Sequence, residues 1–515
     1  MRRGILIVDF GSQYTQLIAR RIREFHVYCE IYPFKKINSK LFDDIDPSGV
    51  ILSGGPNSVL DKKAPKIHKS ILESKIPILA ICYGLQALSL QNGGKIKKSL
   101  SREYGFAKIK IYNNSKIIPR EWKGKAVNVW MSHGDHVSQT PRGFKVLAKS
   151  NNDIISIIAN EKEKIFGLQF HPEVHHTYLG NKIISNFVFK ICKAKNNWIL
   201  EDFIKTKIKE IKKTVKGERV VCGLSGGVDS SVTAYLLHKA LGKKLFCIFV
   251  DHGLLRKNET QEVTNYYKEK FKNNFVKVEA AKLFLKKLKN ISDPEKKRKI
   301  IGKTFVDIFN KEAIRIKGVK YLAQGTLYPD VIESVSFFGG PTAKIKSHHN
   351  VGGLPKKMKL KILEPLRELF KDEVRDLGRK LKIKENLILR HPFPGPGLAI
   401  RIPGSITYEK IKILQNVDDI YIKFLKEKKL YQKIWQAFAI LLPIKSVGVM
   451  GDKRTYNYCC ALRAVTSVDG MTADFYAFTK EELTEISGRI ISQVKEINRV
   501  LYDFTSKPPS TIEWE

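Results

Sequence analysis

Cys82 stands between an apolar run and a helical pattern, a position from which a thiol can act as a nucleophile. The preceding IPILAIC is typical of a short buried strand, and the spacing of LQALSLQ favours a helix. Ala80 and Gly84 flank the thiol, and such small residues permit the tight turn of a nucleophile elbow. The positive end of the helix would favour the thiolate and offer amide hydrogens to an oxyanion. A buried structural cysteine is the alternative, because free cysteine is often buried.

A nucleophilic thiol needs a base, and the segment IFGLQFHPEV supplies His171 with Glu173 two residues later. Pro172 between them bars a helix, so both side chains lie on the same side of an extended segment. Glu173 can then hold the imidazole in the tautomer that accepts the thiol proton. A His-Pro-Glu sequence alone is more often a simple loop. Its combination with an elbow cysteine favours nucleophilic catalysis.

A second group with chemical potential is SGGVDSS, residues 225–231, which lies between the apolar VVCGL and the helical pattern VTAYLLHKAL. The amide hydrogens of a glycine turn and of a helix N-terminus converge where a phosphate can bind. The loop lacks the lysine of the GxxxxGK[ST] motif, so it does not suggest γ-phosphoryl transfer. Asp229 offers a carboxylate to Mg²⁺, which prefers hard oxygen ligands. A tight turn without a ligand is the alternative.

Two sheets are needed to position these groups. Strand and helix patterns alternate from Gly4 to about Lys195, and GILIVDF, GVILSGG and IPILAIC are apolar runs typical of a parallel sheet covered on both faces. The basic amphipathic WILEDFIKTKIKEIKK is predicted to be a helix that links this part to a second one. We predict an α/β protein with two doubly wound, mainly parallel sheets and a smaller α+β C-terminal part. The predicted domains are residues 1–195, 196–390 and 391–515.

The composition is strongly basic. The 515 residues include 92 lysines and arginines against 51 aspartates and glutamates, a formal net charge of +41. Nucleic-acid phosphates attract such a surplus. However, the lysines are spread along the chain, and the abundance of Lys, Ile and Asn, which have AT-rich codons, favours genomic base bias as the cause. We therefore expect nucleic acid to be an unlikely partner.

The cysteines and the apolar segments indicate the compartment. Seven cysteines, at positions 29, 82, 192, 222, 247, 459 and 460, form no CxxC pair and show no metal-ligand spacing. The apolar run near the start is too short for a signal peptide, and no stretch is long enough to span a bilayer. We expect a cytoplasmic protein with free thiols and no membrane partner.

Three motifs resemble the class I glutamine amidotransferases: ICYGLQ around Cys82, LSGGPNS at 52–58 and FHPEV at 170–174. MSHGD at 131–135 resembles the glutamine-binding segment of that family. The resemblance implies a triad that forms a glutamyl thioester and releases ammonia. The residues implied are the triad Cys82, His171 and Glu173, with the backbone amides of Gly55 and Tyr83 as oxyanion donors. Ala80 departs from the family pattern, which usually has glycine there.

SGGVDSS resembles the PP-loop of the N-type ATP pyrophosphatases, which cleave ATP between the α and β phosphates and adenylate an oxygen. The resemblance implies ATP binding by Ser225, Gly226, Gly227, Val228, Asp229, Ser230 and Ser231, with Asp229 as the Mg²⁺ ligand. The segment 343–359, AKIKSHHNVGGLPKKMK, has neither a helical nor a strand period. It is typical either of a mobile basic loop that closes over phosphates or of a disordered connector.

Across essentially its full length, the chain resembles the glutamine-hydrolysing GMP synthetases. The motifs are HPFPGPGLAIR at 391–401, GDKRTYNY at 451–458, DGMTADFY at 469–476 and KPPSTIEWE at 507–515. The resemblance implies a carbon–nitrogen ligase that aminates xanthosine monophosphate to GMP through an adenylated intermediate. It also implies a homodimer formed through the C-terminal domain and a lid at 343–359. The residues implied to contact the nucleotide are Arg298, Gln436, Arg499, Lys507, Ile512 and Glu513.

Two other functions fit part of the sequence. A tRNA-modifying PP-loop enzyme would account for SGGVDSS and the basic charge, but it would need paired cysteines for sulfur delivery and has no use for a glutaminase. A nonenzymatic nucleic-acid-binding protein with decayed sites would not be expected to keep Cys82, His171 and Glu173 together with SGGVDSS. From position alone, KPPSTIEWE would be predicted to fray, as chain ends usually do.

Overall fold

The computed structural model of the protein describes residues 3–334, 360–450, 453–467, 473–507 and 509–515. The described residues before Ile204 form one compact unit, and nearly all of those from Ile204 onward form another. The predicted boundary at residue 390 falls within the second unit, and the division into three domains stays a prediction. The predicted lid at 343–359 lies outside the described residues.

The first unit is built on a nine-stranded sheet. Its strands are β1 (Ile5–Asp9), β2 (Cys29–Pro33), β3 (Gly49–Leu52), β4 (Ile78–Ile81), β5 (Lys95–Ile111), β6 (Ala126–Gln139), β7 (Lys145–Ser150), β8 (Ile155–Asn160) and β9 (Ile165–Leu168). Its helices are α1 (Thr15–Glu24), α2 (Ser39–Ile45), α3 (Lys69–Leu72), α4 (Tyr83–Gln91) and α5 (Gly180–Ser185).

The strand order in this sheet is β2-β1-β3-β4-β9-β8-β7-β5-β6. The half from β2 to β9 is parallel, and the half from β9 to β6 is antiparallel. Every residue of β3 and β4 is buried, as expected for central parallel strands covered on both faces. The carboxyl ends of β3, β4 and β9 therefore lie side by side, at one edge of the sheet.

The second unit contains a five-stranded parallel sheet in the order β12-β11-β10-β13-β14. These strands are β10 (Arg219–Leu224), β11 (Leu245–Asp251), β12 (Phe275–Glu279), β13 (Val319–Ala323) and β14 (Lys361–Leu363). The accompanying helices are α6 (Leu200–Val215), which contains the division between the units, and α7 (Val228–Leu241), α8 (Glu259–Phe271), α9 (Ala281–Leu288), α10 (Pro294–Arg315), α11 (Tyr328–Ser334), α12 (Lys371–Lys380) and α13 (Glu385–Ile388). The strand order reverses direction beside β10, where ligands of doubly wound sheets bind.

The C-terminal part of the second unit is a four-stranded sheet with two helices. Its elements are α14 (Tyr408–Glu427), β15 (Gln436–Met450), β16 (Lys453–Thr466), β17 (Asp474–Phe475), α15 (Lys480–Gln493) and β18 (Ile497–Asp503). β16 pairs antiparallel with β15 and β17 and parallel with β18. The predicted fold class is thus confirmed, with an additional antiparallel half in the first sheet.

One hydrophobic core joins the two sheets of the second unit. It includes Ile248 on β11, Leu414 on α14, Leu462 on β16 and Ile490 on α15, all of them almost fully buried. This shared core explains why the chain does not separate into compact units at residue 390. None of the helices in the described part of the chain combines the length and apolarity that a bilayer span requires.

Candidate active sites

Cys82 lies at the turn between β4 and α4, with φ 51° and ψ −107°. A non-glycine residue in this sparsely populated region costs about 1–3 kcal/mol of strain. The turn is tight because Gly84 packs against the end of β3, where a Cβ on Gly84 would lie 2.6 Å from the carbonyl oxygen of Leu52. The amide of Gly84 donates to the carbonyl of Ser53 at 3.0 Å. Strand, strained cysteine and helix follow one another as in a nucleophile elbow.

His171 follows β9 and is held at both its backbone and its ring. Its amide donates to the carbonyl of Trp130 at 3.0 Å, and its carbonyl accepts from the Thr177 hydroxyl at 2.6 Å. Its Nδ1 lies 2.7 Å from Oε1 of Glu173, whose side chain is fully buried. Because a carboxylate only accepts, Nδ1 carries the proton and Nε2 is left to face other groups.

The electrostatics of this pair favour a protonated ring. Burial by itself lowers the pKa of His171. The negative charge of Glu173 and hydrogen bonding to Cys82 and Glu173 outweigh that effect and raise the pKa well above its ordinary value. The neutral imidazole is therefore a stronger base than usual, which suits it to take the thiol proton and hold it close by.

The ring and the thiol meet across Gly54. A Cβ on Gly54 would lie 3.0 Å from Cε1 of His171 and 3.6 Å from Cβ of Cys82. The next residue, Gly55, is packed against Tyr83, where a Cβ would lie 3.3 Å from the ring. Tyr83 is the first residue of α4, and an amide in this position has no partner inside its helix. The structure thus brings together all five residues predicted for the glutaminase.

Strand β6 completes this site through the MSHGD segment. The carbonyl oxygen of Ser132 lies 3.5 Å from Sγ of Cys82. The carbonyl of Asp135 accepts from the Gln86 side chain on α4 at 2.7 Å, and its carboxylate accepts from the Ser58 hydroxyl at 2.5 Å. The motifs around Cys82, at 52–58 and at 131–135 are therefore in contact with one another.

The loop 225–231 connects the end of β10 to the start of α7. Gly226 has a φ of 78°, and Gly227 caps the helix. The Ser230 hydroxyl bonds within the loop and accepts from the amide of Ser225 at 3.2 Å. The Ser231 hydroxyl donates to the carbonyl of Gly227 at 2.6 Å and also bonds to the Tyr267 hydroxyl on α8. Val228 and Asp229 form the first turn of α7, so all seven residues predicted to bind ATP lie at the carboxyl edge of the sheet.

Asp229 forms an ion pair that sequence reasoning missed. Nζ of Lys371, the first residue of α12, lies 2.7 Å from Oδ1 of Asp229, and both side chains are partly exposed. Among the described residues, no group of three or more His, Cys, Asp or Glu side chains could hold a metal ion. A single carboxylate fits Mg²⁺ only where phosphates and water supply its other ligands. The distance in sequence between Lys371 and the loop left no local signal for this pairing.

The carboxylate of Glu513 is held by a buried arginine and an amide. Nη2 and Nε of Arg401 lie 2.9 and 3.1 Å from its two oxygens, and Nε2 of Gln436 donates to one of them at 2.6 Å. Arg401 is fully buried and stacks on the ring of Phe438 at 4.2 Å. Glu513 is one of the residues implied to contact the nucleotide, and in this structure its oxygens already have these donors.

The neighbouring residues are fixed in the same way. The carbonyl of Ile512 accepts from Nε of Arg463 at 2.8 Å, and Arg298 donates to the carbonyl of Glu515. The segment from Ser510 onward is therefore held in place, and the expectation of a frayed end is wrong. The sequence did not indicate buried Arg463 and Arg401 as residues of this site, although Arg401 is part of HPFPGPGLAIR.

Two further residues predicted to contact the nucleotide lie on β18 and in an isolated bridge outside the strands of the C-terminal sheet. Arg499 is exposed on β18. Lys507 exchanges backbone hydrogen bonds with Ala473, with distances of 2.7 and 3.1 Å. Gln436 donates directly to Glu513, the neighbour of Ile512 in the sequence, whereas Arg499 is placed by the pairing of β18 and Lys507 by a single bridge to Ala473.

Comparison with known proteins gives matches along the whole chain. Family models described as glutamine amidotransferase class-I, NAD synthase and GMP synthase C terminal domain match residues 6–191, 198–303 and 423–514. The chain is 56% identical to the glutamine-hydrolyzing GMP synthase of Rhodopseudomonas palustris strain BisB18, over 99% of this chain and 96% of the relative. It is 55% identical to the proteins of the same name from Brachyspira hyodysenteriae and Zymomonas mobilis. These alignments cover 99% of this chain and 99% and 98% of the relatives.

Proposed function

The chain belongs to the family of glutamine-hydrolysing GMP synthases, and we propose that Cys82, His171 and Glu173 release the ammonia that its reaction consumes. The reaction converts xanthosine monophosphate to GMP, with glutamine as the nitrogen donor and ATP as co-substrate. One observation carries the proposal for the triad. A buried imidazole bonded to a buried carboxylate meets the cysteine of a strained strand-to-helix turn.

In the proposed glutaminase reaction, Sγ of Cys82 attacks the side-chain carbonyl carbon of glutamine. Nε2 of His171 takes the thiol proton and gives it to the departing ammonia, while Glu173 holds the proton on Nδ1. The amides of Gly55 and Tyr83 donate to the oxyanion that forms on the carbonyl oxygen. Water then hydrolyses the thioester, with His171 as the base, and glutamate leaves.

In the proposed synthetase reaction, the C2 oxygen of xanthosine monophosphate attacks the α-phosphorus of ATP, and pyrophosphate leaves. Ammonia then displaces AMP from C2. The amides and hydroxyls of residues 225–231 bind the pyrophosphate, since glycine turns and helix N-termini favour anions. Asp229 is proposed to hold Mg²⁺, which would offset phosphate charge when bound there. Lys371 provides a second positive charge beside the loop.

For the nucleotide site, we propose the residues that match the family motifs. Arg298, Arg499 and Lys507 carry charges suited to a phosphate. Gln436, Ile512 and Glu513 would bind the base, and the carboxylate of Glu513 is already oriented by the two nitrogen atoms of Arg401. Because Arg401 already holds the carboxylate of Glu513 in place, substrate binding loses less side-chain conformational entropy.

We also propose a homodimer, a cytoplasmic location and the domain division at residues 195 and 390. Val447, Val449 and Tyr456 are between 60% and 72% exposed on β15 and β16, and exposed apolar patches often mark protein interfaces. All seven cysteines are free, which is consistent with a reducing compartment.

The test compares Cys82→Ala and Asp229→Ala with two nitrogen sources. GMP formation from glutamine by Cys82→Ala should fall by on the order of 10⁴-fold or more, because the nucleophile is lost, while formation from ammonium should be kept. Asp229→Ala should stop GMP formation with either source. Cys192→Ala, which removes another free thiol from the first unit, is the control. Equal loss with both sources in Cys82→Ala would refute the assigned roles.

A further inference from the structure

Glu103 on β5 forms a buried hydrogen-bonded cluster behind the MSHGD segment. Its Oε2 lies 3.1 Å from Nε2 of His133, the residue opposite it on β6. Its Oε1 accepts from the Ser150 hydroxyl at 2.9 Å and from the Asn152 amide at 2.7 Å. One carboxylate thus joins β5, β6, the end of β7 and the turn that follows β7.

The chemistry of this cluster depends on a charged Glu103. Its side chain is only 6% exposed, and burial alone would raise its pKa. Hydrogen bonds from His133, Asn152 and Ser150 outweigh that effect and lower the pKa. The carboxylate therefore accepts all three bonds, and Nε2 of His133 carries a proton.

The orientation of the His133 ring depends on this carboxylate. The ring is 1% exposed. Its other nitrogen, Nδ1, is buried without a hydrogen-bond partner in the structure described. The bond to Glu103 is consequently the polar side-chain contact that fixes the ring plane, at a point where the β5–β6 ladder has a register shift.

That position matters because β6 passes directly beside the thiol. The carbonyl preceding His133 belongs to Ser132 and lies 3.5 Å from Sγ of Cys82. The carbonyl oxygen of Asp135, two residues after His133, accepts from Nε2 of Gln86. The same Nε2 lies 3.4 Å from Oε1 of Gln169. Gln169 in turn lies 3.9 Å from the same sulfur atom. A small shift of His133 would move atoms on both sides of the nucleophile.

We propose that Glu103 is a positioning residue for the glutaminase reaction, acting through His133 on the β6 segment that receives glutamine beside Cys82. The inference rests on the proposed function of Cys82 and of the MSHGD segment. Glu103 itself touches neither the thiol nor the triad in the contacts above. Its role is to keep the glutamine-binding strand in register with the elbow, as supporting hydrogen bonds do for reacting groups in general.

The test is Glu103→Gln. A glutamine side chain has one acceptor oxygen and a donor group, so it cannot accept from all three partners. A buried polar group that lacks its matching partner changes an equilibrium constant by about tenfold. We expect the KM for glutamine to rise by about tenfold, with a smaller change in kcat. GMP formation from ammonium should keep its wild-type rate. Glu121→Gln, which removes an exposed carboxylate paired with Lys182 in the same unit, should change neither.

Two further variants separate positioning from a purely structural role. Glu103→Asp keeps the charge and should recover part of the glutamine KM. In a His133→Gln background, Glu103→Gln should add little, because residues that act through one another are not additive. A wild-type KM for glutamine in folded Glu103→Gln would overturn the proposal. Fully additive effects in the double variant, or equal losses with both nitrogen sources, would do the same.

If Glu103→Gln does not fold, the decision passes to Glu103→Asp and to His133→Gln, each compared with both nitrogen sources. Failure of the proposed function would look different. In that case Cys82→Ala would retain glutamine-dependent synthesis, whatever the Glu103 variants do. Loss in Cys82→Ala together with no effect in the Glu103 and His133 variants would overturn only the present inference.

Discussion

The proposed triad of the first unit and the loop 225–231 of the second unit differ in the hydrogen-bond partners that their polar groups already have. His171 and Glu173 are buried, bonded to each other and tied to the backbone around them. The Ser230 hydroxyl instead bonds to the loop itself, and Asp229 is paired with partly exposed Lys371. The first arrangement orients groups for a reaction, and the second keeps a loop folded until a ligand replaces its internal bonds.

This difference follows from the two kinds of chemistry. Acyl transfer needs a nucleophile, a base and an oxyanion site in fixed relation, and small displacements are costly. Binding a polyphosphate needs many amide and hydroxyl donors, each of which contributes modestly. Single substitutions should therefore be severe in the triad and mild in the PP-loop hydroxyls.

Among variants that keep Cys82 and Asp229, the largest effect is expected from Glu173→Gln. The neutral glutamine side chain can no longer stabilise the positive charge of protonated His171. It can also hold the neutral ring in the wrong tautomer. We expect kcat with glutamine to fall by about 10³-fold or more, as when a triad acid is neutralised. Steady-state kinetics with glutamine and with ammonium measure the split. An equal fall with ammonium would mean that the triad is not confined to ammonia release.

The pH dependence of kcat/KM for glutamine tests the proposed role of His171 in a second way. The pKa of His171 is raised, mainly by the charge of Glu173 against the opposing effect of burial, so its ring stays protonated to a higher pH than usual. The alkaline limb of kcat/KM for glutamine should therefore lie above the ordinary range of histidine, because the protonated ring donates to ammonia. Glu173→Gln should move this limb to lower pH. A limb that stays in place would show that His171 is not the proton donor.

The next effect is expected from Gly54→Ala. The added Cβ would lie 3.0 Å from His171 Cε1, so the ring must give way by a few tenths of an ångström. A displacement of about 1 Å can cost about 10²-fold in rate, and for this smaller shift we expect a loss of about tenfold in kcat with glutamine. Gly302→Ala, where a Cβ meets nothing within 4 Å, is the matched control. Wild-type turnover in Gly54→Ala would show that the thiol and ring are not coupled as described.

Arg401→Lys tests whether a buried site in the second unit behaves like the triad. Lysine cannot reproduce the two bonds from Arg401 to Glu513, and it leaves a poorly matched buried charge. We expect a loss of about 2 kcal/mol in the free energy of unfolding and about a tenfold rise in the KM for xanthosine monophosphate. Arg379→Lys alters an exposed pair and should change neither by a measurable amount. Unchanged unfolding in Arg401→Lys would contradict the structural role.

The smallest effect is expected from Ser230→Ala in the PP-loop. Its hydroxyl accepts from the amide of Ser225 and donates to the carbonyl of Gly227, and water or phosphate can replace both bonds. We expect the KM for ATP to rise by about threefold, equally with glutamine and ammonium. A loss as large as that of Glu173→Gln would erase the contrast between the two regions.

Local pattern predicted the elements around Cys82 and the placement of the proposed triad residues. The apolar run before Cys82 and the glycine after it indicate a strand-to-helix turn, and the structure has one there. The extended His-Pro-Glu segment likewise indicates the ring and carboxylate pair, found 2.7 Å apart. Each of these features is encoded within a few residues, where spacing and backbone preference decide the geometry.

Features formed between distant segments were not predictable in the same way. Lys371 meets Asp229, and Arg401 meets Glu513, through the packing of whole elements, so no spacing reports them. The residues from Ser510 onward look like a frayed end in sequence, since nothing local indicates that buried Arg463 holds them. The shared core of the second unit likewise depends on contacts between segments that are far apart in the chain.

Ammonia release and adenylation are proposed to use separate residues of one chain. The decisive experiment is exchange of labelled pyrophosphate into ATP by Cys82→Ala, dependent on xanthosine monophosphate and run without any nitrogen source. Exchange at the wild-type rate is expected in this variant, and none is expected in Asp229→Ala. Loss of exchange in Cys82→Ala would show that the two reactions share this residue.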